Sequence, residues 1–268
     1  MRSRNSFGLI ASILLLGGSA ILVDGQATEP QEWGSLKGQV VWAEKVIPTN
    51  PPIPGVPPGP CRAKGPILKN NLVIDPKSRG VRWVLVWLAD PKDATNVKFS
   101  PPIHPALANP PDAKIDTPCC EYQPRMVGRW GKQKLIVENT GVVAHAFLIA
   151  SIGKGPNENA LVPPKGRATV EGFVPKLLPT PYSCGVHRWM KGYIGSFAHP
   201  YFAVTDADGK FEIKNAPTGK FQLVVWHEET GFLTQPELRN RRIRGKVIEI
   251  EGDRVTEVGK IGMKQVED

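Results

Sequence analysis

Hydrophobic residues along the chain recur with a period of two or in short unbroken runs, and nowhere keep a helical spacing for more than about two turns. The runs are rich in Val, Ile and aromatic residues and stop at Gly, Pro or Asn, which is the pattern of short strands separated by turns. "SLKGQVVW" (Ser35 to Trp42) predicts a strand. "GVRWVLVWLAD" (Gly80 to Asp90) is apolar on both faces and predicts a central strand. "KQKLIVENT" and "VVAHAFLIA" (Lys132 to Thr140, Val142 to Ala150) predict two strands joined at Gly141 with hairpin character. "RATVEGFVP" predicts another, followed by a loop that reaches Met190. Beyond Pro200 the chain alternates through "YFAVTDADGKFEIKNAPTGKFQLVVWHEETGF", with turn signals at Asp208-Gly209 and Thr218-Gly219, and "KVIEI" and "RVTEVG" add two strands. The fold class is all-β.

Two stretches stand outside this pattern. Seven prolines between Pro48 and Pro60 make a stiff, extended segment that cannot enter a sheet interior, and it reads as a covering loop or spacer. "FSPPIHPALANPPDAKIDTPCC" reads as irregular. Proline and glycine number 27 each in 268 residues, which excludes long helices, and the length suffices for one large β domain or two smaller ones with a core of their own.

The first residues carry Arg2 and Arg4, an apolar run from Phe7 to Val23 and small residues near Gly25 and Ala27, the layout of a secretory signal peptide over residues 1–27. An uncleaved anchor is the rival, since about 17 apolar residues barely span a bilayer; with the signal cleaved, no stable membrane insertion is expected. The expected location is periplasmic or otherwise extracytoplasmic. The net charge of +9 becomes +8 without those residues, with one dense patch at "LRNRRIRGK" (Leu238 to Lys246). That patch reads as an exposed loop, or as a docking face for an acidic redox partner or anionic polymer. No basic stripe interleaved with aromatics supports a nucleic-acid partner.

The candidate chemistry sits in "SCGVHRWM". Cys184 and His187 are separated by two residues, so a tight turn can aim sulfur and nitrogen at one point, and Met190 follows after two more. Thiolate and thioether are soft ligands that favour copper, and imidazole suits it equally. A further strong ligand must come from elsewhere, and His145 in "VVAHAFLIA" is the candidate. Packing alone would also explain a buried Cys beside a His, and Met190 beside Trp189 reads equally as core. Zinc competes for the same donors, and a catalytic zinc would need an open position and a base such as Glu228 or Glu229. A disulfide scheme that includes Cys184 is the main objection to a metal. No serine triad, nucleophile elbow or phosphate loop is present, so the chain is expected not to be an enzyme.

The order of "ENTGVVAH" and "PYSCGVHRWM" resembles the cupredoxins, in which an upstream histidine and a downstream Cys, His and Met surround one copper. "CGVHRWMKGYIGSFAHPYFAVTDADGKFEI" and "PTGKFQLVVWHEE" are similar to exported bacterial methylamine-utilisation-like proteins, which join a cupredoxin to carboxypeptidase-regulatory-like strands. The similarity runs from Gly38 to about Gly231. It implies a Greek-key cupredoxin-like β-sandwich combined with a small transthyretin- or carboxypeptidase-regulatory-like sandwich. The implied segments are 33–95 (strands and the proline-rich loop), 96–200 (the copper domain) and 201–268 (regulatory-like strands). It assigns one mononuclear copper ion to His145, Cys184, His187 and, axially, Met190, with electron transfer to a redox partner protein of the cell envelope. Electrons would pass through His187, with Trp189 and Tyr193 lining the approach. Storage, delivery or sensing of copper with the same ligands is the first alternative, and a structural or carbohydrate-contacting sandwich with a degenerate site is the second. The oligomeric state stays open.

The resemblance also bears on the other cysteines: it implies a disulfide from Cys61 to Cys120, in the "C-x-Y-x-P" context, although Cys119 could replace its neighbour. Three departures stand out. Only two residues separate His187 from Met190, Arg125 stands in "CEYQPRM" where a histidine is usual, and Ala146 follows His145 where asparagine is common. His199 and His227 lie in family-like contexts and read either as groups near the copper mouth or as structural residues, whereas His104, amid prolines, reads as an exposed loop residue.

Overall fold

A computed structural model describes residues 31–63, 65–118, 120–233 and 245–265. The segment expected to be a signal peptide, Cys119 and the basic run as far as residue 244 lie outside the described residues. Gln31 onward forms one compact unit of short strands, an all-β sandwich architecture. No helix among the described residues is long and apolar enough to cross a membrane.

Among the described residues four larger sheets stack on three apolar layers, and β2 (Val73–Ile74) pairs with β3 (Val81–Arg82) in a fifth, two-stranded one. In the first sheet β1 (Trp33–Trp42) lies between β14 (Lys210–Pro217), antiparallel, and β18 (Val255–Met263), parallel. In the second, β4 (Leu85–Ala89) lies between β13 (Phe202–Val204) and β15 (Gly219–His227), and β15 also pairs with β16 (Gly231–Phe232) and β17 (Lys246–Ile250). Strands from 33–95 and from 201–268 are thus interleaved in both sheets. Leu36, Val40, Phe211 and Ile213 from one sheet meet Val86, Leu88, Leu223 and Val225 from the other. The apolar runs of β4 and β15 are explained by their second face. Leu85, Trp87, Val224 and Trp226 point the other way, into a layer shared with Met126 and Phe197. Predicted as one strand from Gly80, the chain breaks instead at Trp83, whose φ of 68° ends β3 (Val81–Arg82) before β4 begins.

The third and fourth sheets enclose the core that carries the candidate site. One has the order β10 (Arg167–Val170), β7 (Leu135–Glu138), β5 (Ala113–Asp116); the other runs β6 (Met126–Trp130), β12 (Lys191–Phe197), β11 (Thr180–Cys184), β8 (His145–Ala150), β9 (Asn157–Val162). Ile115, Leu135 and Val137 pack against Phe147, Ile149, Tyr182 and Ile194 between them. Several of these strands depart from the sequence reading. β5 lies inside the stretch read as irregular, β11 is a strand where a loop is expected, and β6, β9 and β12 have no counterpart in it. Glycines hide β6 and β12, because a Cβ at Gly128 would collide with the Phe202 ring and one at Gly192 with the Tyr182 ring. Gly128 makes room for a ring from another sheet and Gly192 for the ring of its cross-strand partner, so neither breaks the chain.

The expected hairpin at Gly141 is corrected as well. β7 pairs with β10 and β5, whereas β8 pairs with β11 and β9, so the chain crosses from one sheet to the other. The two strands face the same apolar layer from opposite sheets, which a flat hairpin would not allow. The buried Asn139 side chain holds the crossover. Its amide donates to the carbonyls of Val143 (2.8 Å) and Val162 (3.0 Å), and its oxygen accepts from the Gly141 N–H (3.0 Å). Asn139→Ala would orphan those buried groups, and the free energy of unfolding is expected to fall by about 2–3 kcal/mol. Chemical denaturation reads this directly, and an unchanged midpoint would mean the crossover is held by other contacts.

Candidate metal centre

Strand register brings the first two donors together. Cys184 at the end of β11 stands opposite Phe147 of β8, and the ladder continues with Gly185 N–H donating to the Ala146 carbonyl (2.8 Å). Side chains alternate along a strand, so His145, two residues before Phe147, shares the inward face with Cys184 as its diagonal neighbour. The third donor comes from the turn after Cys184. The Met190 N–H donates to the His187 carbonyl (2.9 Å) and the Cys184 N–H to the Met190 carbonyl (3.1 Å), closing residues 184–190 into a small loop. Within it the His187 N–H points at Cys184 Sγ (3.4 Å).

The result is a buried triangle. His145 Nδ1 and His187 Nδ1 are 3.1 Å apart, and Cys184 Sγ lies 3.8 Å from the first and 3.6 Å from the second. His145, Cys184 and His187 are only 1%, 3% and 7% exposed. Such a triangle has a centre roughly 2.0 Å from each corner, close to the metal–nitrogen distance and slightly short of the metal–sulfur distance of first-row ions. Burial, and then the neighbouring His187, push the His145 pKa down to about 4; burial lowers that of His187. Both rings are therefore neutral near pH 7. Neutral imidazoles beside a thiol suit a borderline or soft ion, so the donor set fits copper and also zinc. Met190 is 1% exposed in the same apolar cluster as Cys184 and is tied to the loop through its backbone.

Cys184 is free, and the disulfide joins Cys61 to Cys120. It lies against the site: Cys61 Sγ is 3.6 Å from His187 Nε2. Trp189 packs on the His187 ring at 5.1 Å and donates from Nε1 to the Cys120 carbonyl (3.1 Å). Tyr193 does not share that position. It packs on Trp226 at 5.2 Å, in the layer between the two sandwiches. His199 stacks among Phe197 and Tyr201, and His227 accepts from the Glu229 N–H, so both are occupied in packing away from the triangle. Arg125 is buried in a two-pronged ion pair with Glu228 and donates to Asn70 (2.7 Å). His104, half-exposed, packs edge-on against Trp33. The disulfide is the one that the resemblance implies; its position against His187 and the Asn139 brace are the site features that sequence reasoning missed. The paired "CC" and "ENTG" motifs carried their only signal.

Burial holds the pKa values of His199 and His227, like that of His145, at about 4. A base whose folded pKa lies below its unfolded value stabilises the fold above the unfolded pKa, near 6.5, and that stability is lost as pH falls towards 4. Metal-free protein is therefore expected to lose up to about 1.4 kcal/mol per pH unit for each such histidine across this window. Denaturation midpoints at pH 7 and pH 5 test it, and equal midpoints would refute it.

The chain matches no family model and no curated protein. Among solved structures it is similar to a copper-containing nitrite reductase from Thermus scotoductus SA-01, with 16% identity and a TM-score of 0.31, over 37% of this chain and 28% of that one. It is also similar to a purple cupredoxin from Nitrosopumilus maritimus, with 18% identity and a TM-score of 0.27, over 32% of this chain and 99% of that one. Oxidized plastocyanin from Dryopteris crassirhizoma gives 12% identity and a TM-score of 0.27, over 31% of this chain and 99% of that one.

Proposed function

We propose that the chain is an exported protein in which His145, Cys184, His187 and Met190 would hold one copper ion, and that it transfers single electrons to a partner in the cell envelope. The observation that carries this reading is the buried triangle of two Nδ1 atoms and one sulfur. Bound copper would supply a one-electron couple between its monovalent and divalent states. The chain's own groups favour such use. Neutral rings offer lone pairs without first losing a proton. The N–H of His187 directed at Cys184 Sγ draws charge from the sulfur, which bears on potential. Apolar walls from Phe147, Tyr182 and Met190 keep water from the donors. The β8–β11 ladder and the closed loop hold the three atoms in place whatever the charge between them. The disulfide suits an oxidising compartment.

Loaded with Cu(II), the protein is expected to show an intense visible sulfur-to-copper band that disappears in Cys184→Ser. Met190→Leu should keep the band and change the reduction potential. A colourless protein that binds no copper would leave a structural sandwich, and rapid loss of Cu(I) to a chelator would favour delivery over electron transfer.

A further inference from the structure

The His187 ring faces sulfur on both edges. Its Nδ1 belongs to the triangle with Cys184, while its Nε2 is 3.6 Å from Cys61 Sγ. Cys61 Sγ, Cys120 Sγ and a ring nitrogen of His187 all lie within 4.8 Å of one another. Both cysteines have anchors other than the bond between them. On one side the Trp189 indole holds the Cys120 carbonyl while its ring packs on His187. On the other, the turn Pro60–Arg62 belongs to a segment fastened by Ile53 N–H to the Ile67 carbonyl (2.8 Å) and Lys69 N–H to the Pro51 carbonyl (3.0 Å). Val56 and Ile67 of that segment are buried in the same core as Cys184. Opening the disulfide therefore leaves both sulfurs beside His187.

Joined sulfurs are poor metal ligands, because the thiolate is the donor form. We propose that reduction of Cys61–Cys120 creates a second soft-metal site from Cys61 Sγ, Cys120 Sγ and His187 Nε2, placed back to back with the first across one imidazole. A dithiol reductant supplies two electrons and two protons: the S–S bond breaks, two thiols form, and the reductant closes to its own disulfide. Each thiol that ligates then releases its proton to solvent. Nε2 is available when the ring proton sits on Nδ1, and when Nδ1 holds an ion the Nε2 proton leaves as well. Two thiolates and an imidazole suit monovalent copper. The number of ions carried thus follows the thiol–disulfide state, and an ion bound there blocks re-oxidation of the pair. This inference shares the His187 ring with the copper reading but uses neither His145 nor Cys184.

The full mature chain, oxidised or reduced with dithiothreitol and desalted without oxygen, can be titrated with Cu(I) against a chromogenic Cu(I) chelator. The reduced form is expected to retain one further equivalent. That equivalent should persist in Cys184→Ser and in Cys119→Ser, and be lost in Cys61→Ser and Cys120→Ser. A readout that needs no variant is iodoacetamide labelling of the reduced protein followed by mass spectrometry, in which Cu(I) should shield Cys61 and Cys120 together. Equal copper retention in the two redox forms, or labelling of Cys61 and Cys120 that Cu(I) does not slow, would overturn the proposal. Failure of the first site would appear separately, as a missing Cu(II) band with the extra Cu(I) equivalent still present.

Discussion

Two imidazole nitrogens and a thiol sulfur packed into the end of an apolar core form an arrangement that an ordinary core has no reason to keep. Buried polar groups normally carry hydrogen bonds, and here the Nδ1 atoms of His145 and His187 face each other and the sulfur of Cys184 instead of a backbone or carboxylate partner. His145 Nε2 is also buried without a partner among the described residues. The cost of burying these groups keeps the rings neutral, and neutral rings are what a metal needs. Desolvation thus costs the metal-free fold stability and at the same time leaves both rings as lone-pair donors.

The surrounding layers hold that arrangement still. Register between β8 and β11 sets His145 diagonal to Cys184, the crossover clamped by Asn139 sets where β8 starts, and the loop closed through Met190 returns His187 to the same point. The sheet that carries the site is backed on its other face by the layer of Trp87, Phe197 and Trp226, which joins it to the interleaved sandwich. Next to that layer the buried Arg125–Glu228 pair ties the segment after the disulfide to the end of β15. A buried pair of this kind adds little net stability, but losing either partner would leave an unpaired buried charge. The centre is therefore supported by strands drawn from most of the described chain.

Legibility in the sequence followed local chemistry. Alternating or doubly apolar runs marked β1, β4, β14 and β15, because each of those strands meets apolar layers that repeat every second residue. β6 and β12 were hidden. Gly128, Gly192 and the buried Arg129 break the apolar pattern for reasons that lie on neighbouring strands, such as the rings of Phe202 and Tyr182. Gly141 looked like a hairpin turn because its neighbours could not say in which sheet each strand would lie.

By itself the sequence determined the all-β character, the positions of the main turns and the short run that offers Cys184, His187 and Met190 together, since each depends on residues within a few positions of one another. Tertiary structure decided that His145 meets them, that Cys120 pairs with Cys61, and that the resulting disulfide covers the outer edge of His187. Those contacts join residues 39, 59 and 126 positions apart. Only strand register and the stacking of sheets set such distances, and local composition carries no record of either.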